Sequence, residues 1–129
     1  MDWPQFAKRL LLDDGVITER ETLMLKRAIF EDGVVDREEI EFLVDLKRDA
    51  REVHPDFDRF LFRILHRFVM ADNVINDAEA RWLRTIMPVD RPLNEIEREF
   101  LIGLREAAKK RSRIFDALFA ELVPDFNQS

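Results

Sequence analysis

One eight-residue frame recurs four times in this chain, as DGVITERE at 14–21, DGVVDREE at 32–39, DNVINDAE at 72–79 and DRPLNEIE at 90–97. Each copy begins with Asp, carries an aliphatic residue fourth, places Thr, Asp or Asn fifth and ends in Glu. The copies start 18, 40 and 18 residues apart, which makes two pairs offset by 58. Sliding the chain by 58 without a gap also matches Leu25 to Leu83, Phe42 to Phe100, Leu43 to Leu101, Leu46 to Leu104, Ala50 to Ala108, Phe57 to Phe115 and Asp58 to Asp116. The chain is therefore expected to be one domain over 1–129 made of two fused repeats, about 1–58 and 59–116. A unit of that length is small enough to need a partner to close a core.

Within each frame the residue types spell out a helix junction. Asp ends one helix, Gly or Asn is free to take positive φ, two further residues cross the gap, and an N-cap opens the next helix. Thr18 with Glu21, Asp36 with Glu39, Asn76 with Glu79 and Asn94 with Glu97 each place a capping oxygen three residues before a Glu. That spacing lets side chain and backbone satisfy each other in a first turn. It predicts an all-α fold of seven helices, about 4–13, 19–31, 37–52, 56–71, 77–87, 95–110 and 113–122, with no strand longer than a two-residue contact. Pro55 suits the first turn of the fourth helix. Phe57, Phe60, Leu61, Ile64, Leu65, Phe68 and Val69 give that helix a wide apolar face, which predicts a central helix joining the halves. Phe62 falls toward its polar side, as a contact residue, alongside a solvated His66.

Composition narrows the function classes. With 47% apolar and 37% charged residues the chain reads as a water-soluble helical globule. It has no Cys, which removes disulfides, thiolate zinc sites and a cysteine nucleophile and fits a cytoplasmic setting. The first residues hold no long apolar run, so neither a secretory signal nor membrane insertion is expected. A net charge of −6 disfavours nucleic acid, and the one basic run, Lys109 to Arg113, reads as a solvated helix end. His54 and His66 are isolated, His54 as a helix-entry residue, and neither a nucleophile elbow nor a glycine-rich phosphate loop is present. The expectation is a protein that is not an enzyme.

The frame coincides with the second half of an EF-hand loop, where Asp and Gly stand fifth and sixth and Glu twelfth. The positions that should hold the first two acidic ligands are Leu10 and Leu12, Ala28 and Phe30, Phe68 and Met70, and Ile86 and Pro88. No standard EF-hand site is expected in any copy. Two readings of the carboxylates stay open. Carboxylates of neighbouring loops, such as Asp14 and Glu21 with Asp32, Asp36 and Glu39, converge on calcium or magnesium. Alternatively each Asp caps its own turn and each Glu closes a capping box.

The stretches EDGVVDREEIEFLVDL at 31–46 and MADNVINDAEARWLRTI at 70–86, the latter with Glu79, Trp82 and Leu83, resemble the TerB-like family, named for tellurite resistance. The resemblance covers roughly residues 8 to 110. It implies a duplicated helical unit, a cytoplasmic and non-catalytic role in bacterial stress responses, and a divalent cation held by acidic residues. Carried over, those residues are Asp14, Glu21, Asp32, Glu39, Asp72 and Glu79. The fourth copy departs from the pattern, because Arg91 and Pro92 replace the Gly or Asn and the Val. The alternative is a metal-free interaction module that docks a protein partner through exposed apolar residues such as Trp3, Phe62, Trp82 or Phe126.

Overall fold

The computed structural model describes residues 15–32, 35–88 and 90–126, together with Gln5, Lys8 and Arg9. The expected first helix, 4–13, and the turn at Gly33 otherwise lie outside the described residues. What is described is mainly helical: β1 (Val16–Ile17), α1 (Glu19–Asp32), α2 (Arg37–Asp49), β2 (Glu52–Val53), α3 (Pro55–Val69), β3 (Val74–Ile75), α4 (Asp77–Ile86), α5 (Glu95–Ala107), β4 (Lys110–Arg111) and α6 (Arg113–Leu122). The chain divides into two compact units, Met1–Ile64 and Leu65–Ser129, and the division falls inside α3. Among the described residues no helix is long and apolar enough to cross a membrane.

In the first unit β1 pairs in parallel with β2, Val16 opposite Glu52 and Ile17 opposite Val53. Around this bridge the Arg51 N–H donates to the Gly15 carbonyl at 2.6 Å and the His54 N–H to the Ile17 carbonyl at 2.8 Å. In the second unit β3 pairs with β4, Val74 opposite Lys110 and Ile75 opposite Arg111. The Lys109 N–H donates to the Asn73 carbonyl at 2.8 Å and the Ser112 N–H to the Ile75 carbonyl at 2.9 Å. Every partner in the second set stands 58 residues after its counterpart in the first. Both units turn into their bridge through a left-handed residue, Gly15 at φ 72° and Asn73 at φ 61°.

These bridges explain where α2 and α5 stop. Periodicity alone carries those helices to 52 and 110, but they end at Asp49 and Ala107. Ala50 and Ala108 turn extended, each cap N–H still reaching the carbonyl four residues back, on Leu46 and Leu104. Long-range pairing overrides local helix preference there. The basic run 109–113 is corrected in the same way. Lys110 and Arg111 form β4, and Ser112 caps α6 by accepting the Phe115 N–H at 3.1 Å, so the run is a bridge and a cap rather than a helix end.

Each unit buries its own apolar stripe, because one face of every amphipathic helix must leave water. Ile17, Leu25, Leu43 and Phe57 are buried in the first unit, as are Ile75, Leu83, Leu101 and Phe115 in the second. In the second unit α4 lies closest to α6. Three aromatic expectations are overturned. Phe62 is buried, with the Lys47 ammonium 4.8 Å from its ring centroid. Trp82 is buried too, its ring 5.3 Å from that of Phe68, while Phe68 itself is 38% exposed. Large apolar residues are exposed instead at Leu23 and Met24 on α1.

The left-handed turn carries a prediction. A Cβ on Gly15 meets nothing closer than the Arg51 Cβ at 3.8 Å, so space is not limiting and the backbone angle is. Gly15→Val is expected to lose about 1–3 kcal/mol through forced positive φ. Gly15→Asn, which copies position 73, is expected to lose only a few tenths, because Asn tolerates that region. Urea unfolding of the two variants checks the difference, and equal losses contradict the angle as the cause.

Candidate functional site

The carboxylates singled out by the frame are engaged at helix starts. The Thr18 N–H donates to Glu21 Oε1 at 3.0 Å while the Glu21 N–H donates to Thr18 Oγ1 at 3.1 Å. Asp36 and Glu39 exchange the same pair of bonds at 3.1 and 2.8 Å, and Asn76 and Glu79 at 3.0 and 2.8 Å. Asp72 folds onto its own turn, Oδ1 accepting the Val74 N–H at 3.1 Å. Asp14 lies outside the described residues, as does the side chain of Asp32. Among the described residues no group of three or more His, Cys, Asp or Glu side chains is gathered to hold a metal ion. Glu21, Glu39 and Glu79 are thus placed one by one, each at its own helix entry, and Asp72 in the turn that leads into β3.

The fourth frame, which sequence marks as the deviant, holds the most elaborate cap. Asn94 and Glu97 exchange bonds at 2.8 Å in both directions. The Arg91 guanidinium then closes over the same carboxylate, Nη1 to Oε1 at 2.9 Å and Nη2 to Oε2 at 2.8 Å. The Glu97 side chain is fully buried, whereas that of Arg91 keeps 45% exposure. A carboxylate with no water of its own needs such a fork, since its charge is otherwise uncompensated. Arg91 therefore replaces the left-handed Gly or Asn by a different device.

Two further charged arrangements escape sequence reasoning. In the first unit Lys47 Nζ stands 3.1 Å from Asp58 Oδ1, with the side chains only 15% and 9% exposed. In the second unit the chain turns back after α6. The Val123 N–H closes the helix on the Phe119 carbonyl at 2.8 Å, and the Phe126 N–H reaches the Val123 carbonyl at 3.2 Å. Pro124 accounts for the break, because it disfavours helical geometry in the residue before it. Asp125 Oδ1 then meets Arg98 Nη1 at 2.6 Å. Its hydrogen bond from Arg98 and one from its own backbone hold the Asp125 carboxyl below the usual carboxylate range. Phe126 packs its ring edge-on against Phe119 at 5.1 Å and lies under the Arg105 guanidinium at 5.0 Å. A groove of about 430 Å³ runs beside this segment, lined among others by Arg91, Leu93, Leu122 and Pro124.

The chemistry these arrangements offer is recognition by matched charge and ring contact. No family of known proteins, no curated protein and no solved structure matches the chain.

Proposed function

We propose that the chain is a non-catalytic helical module of the TerB-like kind, built from two duplicated units and serving a cytoplasmic stress response by holding a protein partner. The observation that carries this reading is the use of the frame's carboxylates. Glu21, Glu39, Glu79 and Glu97 each accept a backbone N–H three residues back, at 2.8 to 3.1 Å. Capping accounts for the Asp-to-Glu spacing without an ion, and it puts calcium or magnesium in competition with bonds already made. An ion bound through both oxygens of Glu21 or Glu39 would compete with the Thr18 or Asp36 amide for Oε1. The duplication is supported by the parallel bridges, the left-handed turns and the helix ends, all of which recur 58 residues on.

Thermal melts in EDTA, then with millimolar calcium, magnesium or manganese, test the reading. The midpoint is expected to stay where it is with every ion. An ion present at a hundred times its dissociation constant stabilises by roughly 2.7 kcal/mol, a displacement of several degrees in a domain of this size. Such a displacement overturns the metal-free reading and returns Asp14, Glu21, Asp32, Glu39, Asp72 and Glu79 to the role of ligands.

A further inference from the structure

We infer that Arg98 and Arg105 on α5, together with Phe119 on α6, form a docking site for a protein segment in which an acidic residue precedes an aromatic one, and that Asp125 and Phe126 of the chain itself occupy that site in cis. This deepens the reading of the chain as an interaction module and rests on it. Arg98 and Arg105 are seven residues apart, two helical turns, so they share one side of α5 at a spacing of about 10 Å. The Asp125–Phe126 pair spans them, its acid 2.6 Å from Arg98 Nη1 and its ring 5.0 Å from the Arg105 guanidinium. The same ring stands perpendicular to that of Phe119, centroids 5.1 Å apart, and Phe119 is 2% exposed. The Arg105 guanidinium also stands 5.3 Å from the Phe119 ring, so the guanidinium and the two rings touch one another, and an acid on a guanidinium and a ring beside a guanidinium and a second ring are two of the contacts by which short peptides are held.

The hold is exchangeable. Past the α6 cap, the segment reaches α5 through one ion pair and one ring, and the Asp125 side chain is 70% exposed. Exposed pairs of that kind add little to stability and give way to a competitor of the same charge. Leaving would also open the groove alongside, since Pro124 and Asp125 form one of its walls.

Nor is the site an automatic product of the duplicated frame. The first-unit counterparts of Arg98 and Arg105 are Ile40, fully buried, and Lys47, which is paired with Asp58. The counterpart of Leu122 is Ile64, where α3 runs on to Val69 instead of breaking. Half-buried arginines on the helix and a chain that peels back onto them occur together in the second unit.

The probe is a fluorescein-labelled, amidated peptide of sequence LVPDF, copied from residues 122–126 and titrated into the full chain by anisotropy. Asp125→Ala combined with Phe126→Ala empties the site. If the native segment fills it nine-tenths of the time, the emptied chain is expected to bind the peptide about tenfold tighter than the unaltered one. Adding Arg98→Glu to the emptied chain should abolish binding, and a peptide with Lys in place of its Asp should restore it. Arg105→Ala in the emptied chain gives the same loss through the ring contact, and serves if the Arg98 variant does not fold. Equal affinity of the emptied and unaltered chains, no binding to the emptied chain, or binding that survives both arginine changes overturns the proposal. So does an emptied chain that dimerises in sedimentation and ignores the peptide. The ion melts test the metal-free reading separately, so the two failures are distinguishable.

Discussion

Phe57→Ala and Phe115→Ala are each expected to lose about 3–5 kcal/mol of stability, the range for removing a buried phenyl ring when the site cannot collapse around the gap. Both rings are 0% exposed, and the two residues stand at equivalent positions of their units, each at the start of the helix that follows a bridge. Phe115 also rests against Phe119 at 6.3 Å, so its loss unsettles a second ring. In a domain of this length the expected fall in melting midpoint is roughly 10–20 °C for either variant. Chemical unfolding is the decisive readout, because its slope also tells whether one unit has come apart alone. A loss below about 1 kcal/mol at either position contradicts the burial described here.

The second large effect separates two residues that look alike in sequence. Glu39→Ala removes a partly exposed box and is expected to lose about 1 kcal/mol. Glu97→Ala removes a fully buried carboxylate that serves a cap and both arms of Arg91. Breaking a buried pair typically loses 3–5 kcal/mol, but the Arg91 side chain is 45% exposed and regains water, which brings the expectation to about 2–3 kcal/mol. Glu97→Gln keeps an acceptor for the Asn94 N–H and should fall between the two. Urea midpoints of the three variants settle the order. Equal losses for Glu39→Ala and Glu97→Ala would mean that burial of the fourth frame contributes nothing.

The features legible in sequence are the local ones. A capping box is fixed by residues three apart, and Thr18, Asp36, Asn76 and Asn94 all make the bonds their spacing announces. Positive φ at Gly15 and Asn73 follows equally from residue type. What escaped depends on partners far along the chain. Helix ends at Asp49 and Ala107 are imposed by strand pairs whose partners stand 36 residues apart in each case. Trp82 is covered by Phe68, and Phe62 by Lys47, so a helical wheel of α3 drawn alone assigns both phenylalanines to the wrong side. Arg91 offered a signal that a repeat-based reading discards: a residue that breaks a pattern while carrying a charge opposite to the Glu it precedes. The return of Asp125 to Arg98, across 27 residues, left none beyond the helix-breaking Pro124.

The two bridges have a consequence for how the chain reaches its fold. β1 and β3 are the same dipeptide, Val-Ile, and their main-chain partners are presented in the same register. Backbone hydrogen bonding therefore cannot tell β1 from β3 as a mate for β2 or β4. Loop length sorts the pairs only in part: from β1 the correct mate is nearer, 36 residues for Val16 to Glu52 against 94 for Val16 to Lys110, but from β3 the wrong one is, 22 residues for Glu52 to Val74 against 36 for Val74 to Lys110, and either difference is slight because closure entropy grows only with the logarithm of length. Discrimination falls to side chains that pack later, which exposes a chain with two such bridges to cross-paired traps during refolding. The divergence of the units outside the frame, Lys47 against Arg105 and Ile40 against Arg98, gives each half its own identity in that competition.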